Sequence, residues 1–230
     1  MRQIELVSFV LKSGVKPTLE SFQYAAEHEF FELCRLFVDF GSRKILSTPE
    51  LEEELKTNLT NGQLRNFENL INRGIDPTTD DNYAIKNASE WGHTEVVSLL
   101  LKHGTDSIAK NDVLQTASWR GYFDIVQLLL DNGADLTYIS NHAIRIASEN
   151  GHLEIVRLLL ANGADPTAED NCAIKMASHN GWIKVVKLLL KNNSKYKVDP
   201  TAGDNYAIRW ASGHNRSKIT TLLEEYGASF

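Results

Sequence analysis

One unit returns along this chain, and that return constrains the fold more than any single residue does. Asn141 to Asp165 reads NHAIRIASENGHLEIVRLLLANGAD, Asn171 to Leu190 restates it as NCAIKMASHNGWIKVVKLLL, and Asn82 to Asp106 carries it as NYAIKNASEWGHTEVVSLLLKHGTD. Self-similarity at a fixed period specifies a stack of supersecondary units, each unable to bury its apolar face alone, in place of one globular core. The 230 residues would otherwise suit one or two ordinary domains.

Alignment on the residue that ends each unit gives Gly14, Gly41, Gly74, Gly104, Gly133, Gly163, Asn193 and Gly227, in steps of 27, 33, 30, 29, 30, 30 and 34 residues. The expected organisation is one array over 1–230: a half unit at 1–14, then units at 15–41, 42–74, 75–104, 105–133, 134–163, 164–193 and 194–227. The half unit IELVSFVLKSG matches only the second part of the repeat, so either this end is atypically capped or a longer protein was cut, and Ile4, Leu6, Phe9 and Val10 are apolar enough for the missing neighbour to matter. The unit at 42–74 is degenerate: Ser47 or Thr48 suits a helix cap, with Pro49 at the first helical position.

Within a well-formed unit the pattern predicts two helices. The first runs from about Tyr83 to Trp91, with Ile85, Ala88 and Ser89 sharing the face turned to the stack. Gly92 then permits a tight reversal. The second, Thr94 to Lys102, carries Val96, Val97, Leu99, Leu100 and Leu101 around most of its circumference, which requires burial on several sides. Asn82, Asn111, Asn141, Asn171 and Asn205 stand just before first helices and read as N-caps. Asp80, Asp81, Glu169, Asp170 and Asp204 add negative charge at the same helix ends. Asp76, Asp106, Asp135, Asp165 and Asp199 form a second ladder in the turns.

Composition narrows the function classes. The formal net charge is -6, although residues 151–230 hold 10 Lys/Arg against 8 Asp/Glu, so the carboxyl end alone is mildly basic. This balance argues against a general nucleic-acid binder. Cys34 and Cys172 fall in different repeats and read as reduced thiols, Met1 to Leu11 does not read as a signal peptide, and the leucine triplets are too short to span a bilayer. Together these readings predict a protein without membrane spans in the intracellular, cytoplasmic space. No HExxH, CxxC, GxGxxG or P-loop pattern occurs, and the histidines occupy repeat positions without converging, so no enzyme, metal or cofactor is expected.

The GHLEIVRLLLANGAD segment at 151–165, with its glycine, paired apolar residues, leucine triplet and Gly-x-Asp turn recurring together, resembles the ankyrin repeat. The resemblance is close over about residues 75–227 and weaker toward residue 1. It implies an all-α, ankyrin-type right-handed solenoid of helix-turn-helix repeats. The usual Thr-Pro-Leu-His opening is replaced by Tyr83-Ala84-Ile85-Lys86, His142-Ala143-Ile144-Arg145, Cys172-Ala173-Ile174-Lys175 and Tyr206-Ala207-Ile208-Arg209, and the hairpin fingers are shortened. Arrays of this short type look like the ankyrin-like proteins of giant DNA viruses of amoebae, which would place the chain in a host cytoplasm. Thr78, Thr137, Thr167 and Thr201 stand where many ankyrin turns hold a hydroxylatable Asn, so that modification is not expected.

The resemblance further implies a non-catalytic scaffold that presents a concave helix and turn surface to a protein partner, such as a host regulator. Carried onto this chain, the contact positions before the inter-helix glycine are Glu27, His28, Glu90, Trp91, Trp119, Arg120, Glu149, Asn150, His179, Asn180, Gly213 and His214. Trp91 and Trp119 fit the aromatic centre of an interface, or alternatively shield neighbouring helices. Lys86, Arg145, Lys175 and Arg209 form a basic ladder that reads acidic partner residues or, as Lys86 with Glu90 and Arg145 with Glu149, makes i, i+4 pairs. Asn87, Thr116, Ile146, Met176 and Trp210 share one repeated position that is either contact surface or stack. The loop with Lys191, Lys195, Tyr196 and Lys197 is an ordinary solvated loop or a contact for an acidic partner. The other class of function is structural: a monomer or weakly self-associating module that docks through its open N-terminal repeat.

Overall fold

The computed structural model describes residues 76–192 and 195–230, together with Leu64, Glu68 and Ile71. The half unit at 1–14, the unit at 15–41 and nearly all of that at 42–74 lie outside these residues, as do Glu27, His28, Cys34 and the apolar end formed by Ile4, Leu6, Phe9 and Val10. The chain divides into two compact units, Met1–Thr105 and Asp106–Phe230. All regular secondary structure among the described residues is helical, and none of the described helices is long and apolar enough to cross a membrane.

In the first unit, α1 (Thr79–Glu90) and α2 (Thr94–Lys102) form a hairpin closed at Gly92. Ile85, Ala88 and Ser89 are buried together on α1, as the 3.6-residue spacing predicts. On α2 the burial is narrower than the apolar run suggests. Val96, Val97, Leu100 and Leu101 are enclosed, while Leu99 is only half-buried.

The second unit repeats this hairpin four times: α3 (Ser107–Arg120) with α4 (Phe123–Asp131), α5 (Tyr138–Glu149) with α6 (Leu153–Ala161), α7 (Ala168–Asn180) with α8 (Ile183–Leu190), and α9 (Ala202–Gly213) with α10 (Ser217–Glu225). First helices pack on first helices and second on second, which makes two layers. Between the layers lie Ala117, Ala147, Ala177 and Ala211, and Leu129, Leu159, Leu189 and Leu223, all sealed from solvent. The alanines bring the first helices close; the leucines fill the volume that remains.

A buried serine follows the alanine in most units. Ser118, Ser148 and Ser178 are fully enclosed and their Oγ atoms have no hydrogen-bond partner. An enclosed hydroxyl without a partner is destabilising, and alanine is also the better helix former. The triple variant Ser118→Ala, Ser148→Ala, Ser178→Ala is therefore expected to gain about 1 kcal/mol per site, read as a higher urea midpoint. A lower midpoint would mean that the hydroxyls hold backbone carbonyls in solution.

The recurrent asparagine does not cap its own helix. Helices α5, α7 and α9 open on three residues in left-handed conformation: Ile139, Ser140 and Asn141 at φ 46, 53 and 58°, Glu169, Asp170 and Asn171 at 52, 53 and 58°, and Gly203, Asp204 and Asn205 at 63, 56 and 57°. Each left-handed non-glycine residue costs roughly 1–2 kcal/mol. The turn aims Asn141 and Asn171 at the next repeat, where they accept from the backbone N–H of Asp165 and Asp199 at 2.8 and 2.9 Å; Asn111 accepts from the Asp135 N–H at 2.7 Å from within the regular helix α3, which has no such turn. Asn205 likewise accepts from Ser229. The aspartates at the receiving end accept in turn from threonine, as Asp165 does from the Thr167 amide and hydroxyl at 2.8 and 2.6 Å. Only Asp106 is itself a helix cap, accepting from the Ala109 N–H.

Candidate functional site

In each of the two units the first helices end in side chains that the fold does not enclose. Trp91 lies 56% exposed at the end of α1, beside a half-buried Glu90. At the end of α3, Trp119 is 45% exposed, with the Arg120 guanidinium 4.3 Å from its ring centroid. Neither indole is enclosed by packing. Further along the second unit come exposed Glu149, half-buried Asn150 and His179, and exposed Asn180 and His214.

Two of these polar residues have structural duties. The Asn150 amide donates to the Ile146 carbonyl at 2.8 Å, closing α5. Asn180 and the Trp182 indole N–H both donate to the Glu149 carbonyl, at 2.8 and 2.7 Å, tying consecutive units together. His152 does the same one unit earlier, its Nε2 lying 2.8 Å from the Trp119 carbonyl oxygen.

At the end of the second unit the rings gather. His179 stacks on Trp210 at 4.5 Å between centroids and on His214 at 5.2 Å; Trp210 and His214 are 5.1 Å apart, and Tyr206 is 5.6 Å from Trp210. His214 is further fixed through Nδ1, 2.9 Å from the Trp210 carbonyl oxygen. The shared position that holds Thr116, Ile146 and Met176 half-buried thus holds in Trp210 an exposed aromatic surface. Stacked rings in this range attract beyond the area they bury, so the cluster is a rigid patch.

The basic ladder is engaged locally. Lys86 pairs with Asp81 at 2.7 Å, Lys175 with Asp170 at 2.8 Å and Arg209 with Asp204 at 3.0 Å. The left-handed turn creates these i, i+5 pairs by bringing its acidic residue back over the helix. Arg145, whose turn holds Ser140 in that place, donates to the Ile139 carbonyl at 3.2 Å and makes no ion pair with Glu149, contrary to the i, i+4 expectation. The acidic residues at these helix starts therefore serve the ladder as well as the helix ends.

The Thr137 hydroxyl and, second, its backbone N–H hold the Asp135 carboxyl below the usual range, and Thr201 does the same for Asp199. Burial, followed by the Arg145 guanidinium, pushes the His142 imidazole down against the opposing effect of Glu149. A neutral ring suits its place, where Nδ1 meets the Gln115 side-chain oxygen. In the loop after α8, Lys195 lies over the Tyr196 ring at 4.7 Å. Cys172 is a half-buried free thiol. Among the described residues no three His, Cys, Asp or Glu side chains converge as a metal site.

One surface escaped the reading of the sequence. Phe123, Leu153, Trp182 and Ile183 line a groove of about 620 Å³ where the second helices begin. Its only sequence signal is the residue after each inter-helix glycine, where Tyr122, His152 and Trp182 recur as large rings.

No match to the chain is found among curated proteins. A family model described as ankyrin repeats (3 copies) matches residues 57–140 and 142–230. With helical hairpins repeated through the described residues and that match over most of its length, this chain belongs to the ankyrin-repeat family.

Proposed function

We propose that the chain is a non-catalytic scaffold that binds another protein through the ends and exposed flanks of its first helices. The observation that carries this reading is the aromatic surface left open at first-helix ends, by Trp91 in the first unit and by Trp119 and the Trp210 cluster in the second. Interface centres are enriched in tryptophan, tyrosine and arginine, and a cation held on a ring, as Arg120 is on Trp119, keeps such a patch soluble until it is covered. Lys86, Arg145, Lys175 and Arg209, with Glu90, Glu149, Asn150, His179, Asn180 and His214, would supply the polar rim. The likeness of the short repeat to arrays of amoebal giant viruses extends the proposal to a host regulatory protein as partner.

The test is affinity capture with the full chain and with the Trp91→Ala, Trp119→Ala variant in parallel. A partner enriched by the first and reduced at least about tenfold by the second, with helical circular dichroism unchanged, is the expected result. Equal recovery by both, or helical loss in the variant, would remove the indoles from the interface.

A further inference from the structure

The groove at the start of the second helices begins directly after the first-helix ends, past Gly121, Gly151 and Gly181, and has its own chemistry. Each second helix of the second unit through α8 begins on an apolar residue, Phe123, Leu153 and Ile183, and Trp182 lies between the last two with 42% of its surface exposed. A run of large apolar side chains on water marks a surface that is covered in use.

The residue that follows each of these positions is charged, and its sign changes along the strip. The order is Asp124, Glu154, Lys184 and then Lys218 at the same place in α10, all four exposed. Glu154 has a local ion pair with Arg157 at 3.2 Å, with both side chains largely in solvent. Asp124, Lys184 and Lys218 have no ion pair among the described residues. The strip is thus acidic at one end, apolar along its length and basic at the other.

Such a pattern is complementary to itself. A two-fold axis between α6 and α8 sets Leu153 of one copy against Ile183 of the other, Glu154 against Lys184, and Asp124 against Lys218. An axis on α6 instead would set Glu154 against Glu154, and like charges facing each other disfavour that register. We propose that the occupant of this groove is a second copy of the chain, held in an isologous antiparallel dimer whose register is fixed by the charge reversal.

Sedimentation of the full chain from micromolar to near-millimolar concentration tests this. The expected result is a monomer–dimer equilibrium that weakens at least about tenfold in Lys184→Glu, Lys218→Glu and in Asp124→Lys, Glu154→Lys, each with unchanged circular dichroism. Mixing these two variants restores four facing pairs of opposite sign, the same number as in the parent, so an equimolar mixture is expected to recover a heterodimer where neither variant alone dimerises as the parent does. A monomer at every concentration would overturn the proposal, as would a dimer indifferent to both reversals, or a mixture that stays monomeric. A groove that instead captures an unrelated protein while the chain stays monomeric would also overturn it.

Discussion

Leu159→Ala is expected to lower the unfolding free energy by about 2–5 kcal/mol, the range of buried leucine truncations. Leu159 is sealed from solvent in α6, and α6 packs on both α4 and α8. In a repeat array stability is close to a sum of unit terms and nearest-neighbour interface terms, and a residue between two neighbours enters both interfaces. The void left by the lost side-chain atoms removes contacts that rigid flanking helices do not restore. Leu158→Ala is the matched comparison, because Leu158 is half-buried on the same helix and its truncation opens mostly onto water. Urea unfolding followed by circular dichroism is expected to show a large drop for the first variant and a small one for the second. Equal losses would mean that the layer does not close as tightly in solution as its burial indicates.

The helix faces were legible because periodicity and burial are the same information. Ile85, Ala88 and Ser89 recur at i, i+3 and i+4, and nothing in the unit competes for that face. The asparagine role was not legible, because an N-cap and a bond to the next repeat use one side-chain oxygen and differ only in backbone direction. At Asn141, Asn171 and Asn205 that direction is set by three left-handed residues, and at one of them stands Ile139, a β-branched residue that local preference places elsewhere, whereas Asn111 reaches the next repeat from a helix that already starts at Ser107. The same hidden turn supplies an ion pair that spacing along a regular helix does not suggest: with Asp170 folded back over α7, Lys175 meets it at i, i+5. Exposure of tryptophans was beyond the sequence for another reason. Trp91 ends a helix and Trp182 precedes one, and whether a ring covers a neighbour or faces water depends on the adjacent unit.

Gly151→Ala is expected to cost about 2–5 kcal/mol, the sum of left-handed strain and overpacking. At φ 76° an added Cβ is strained before any contact is counted. That Cβ would also lie inside the van der Waals surface of the Trp182 ring, which covers the glycine face-on while its indole N–H donates to the Glu149 carbonyl at 2.7 Å. The ring cannot lift without stretching that bond, so the clash is not relieved by a rotamer change. Gly163→Ala separates the two effects: its φ of 91° carries comparable strain, but nothing lies within 4 Å of the added atom. The difference between the two variants then measures how firmly one repeat is clasped by the next. A shifted Trp182 emission in Gly151→Ala, absent in Gly163→Ala, would locate the extra loss at the ring. Equal losses with unchanged emission would show that Trp182 leaves the glycine freely, and that the hold between these units resides in Asn141 and the buried layer instead.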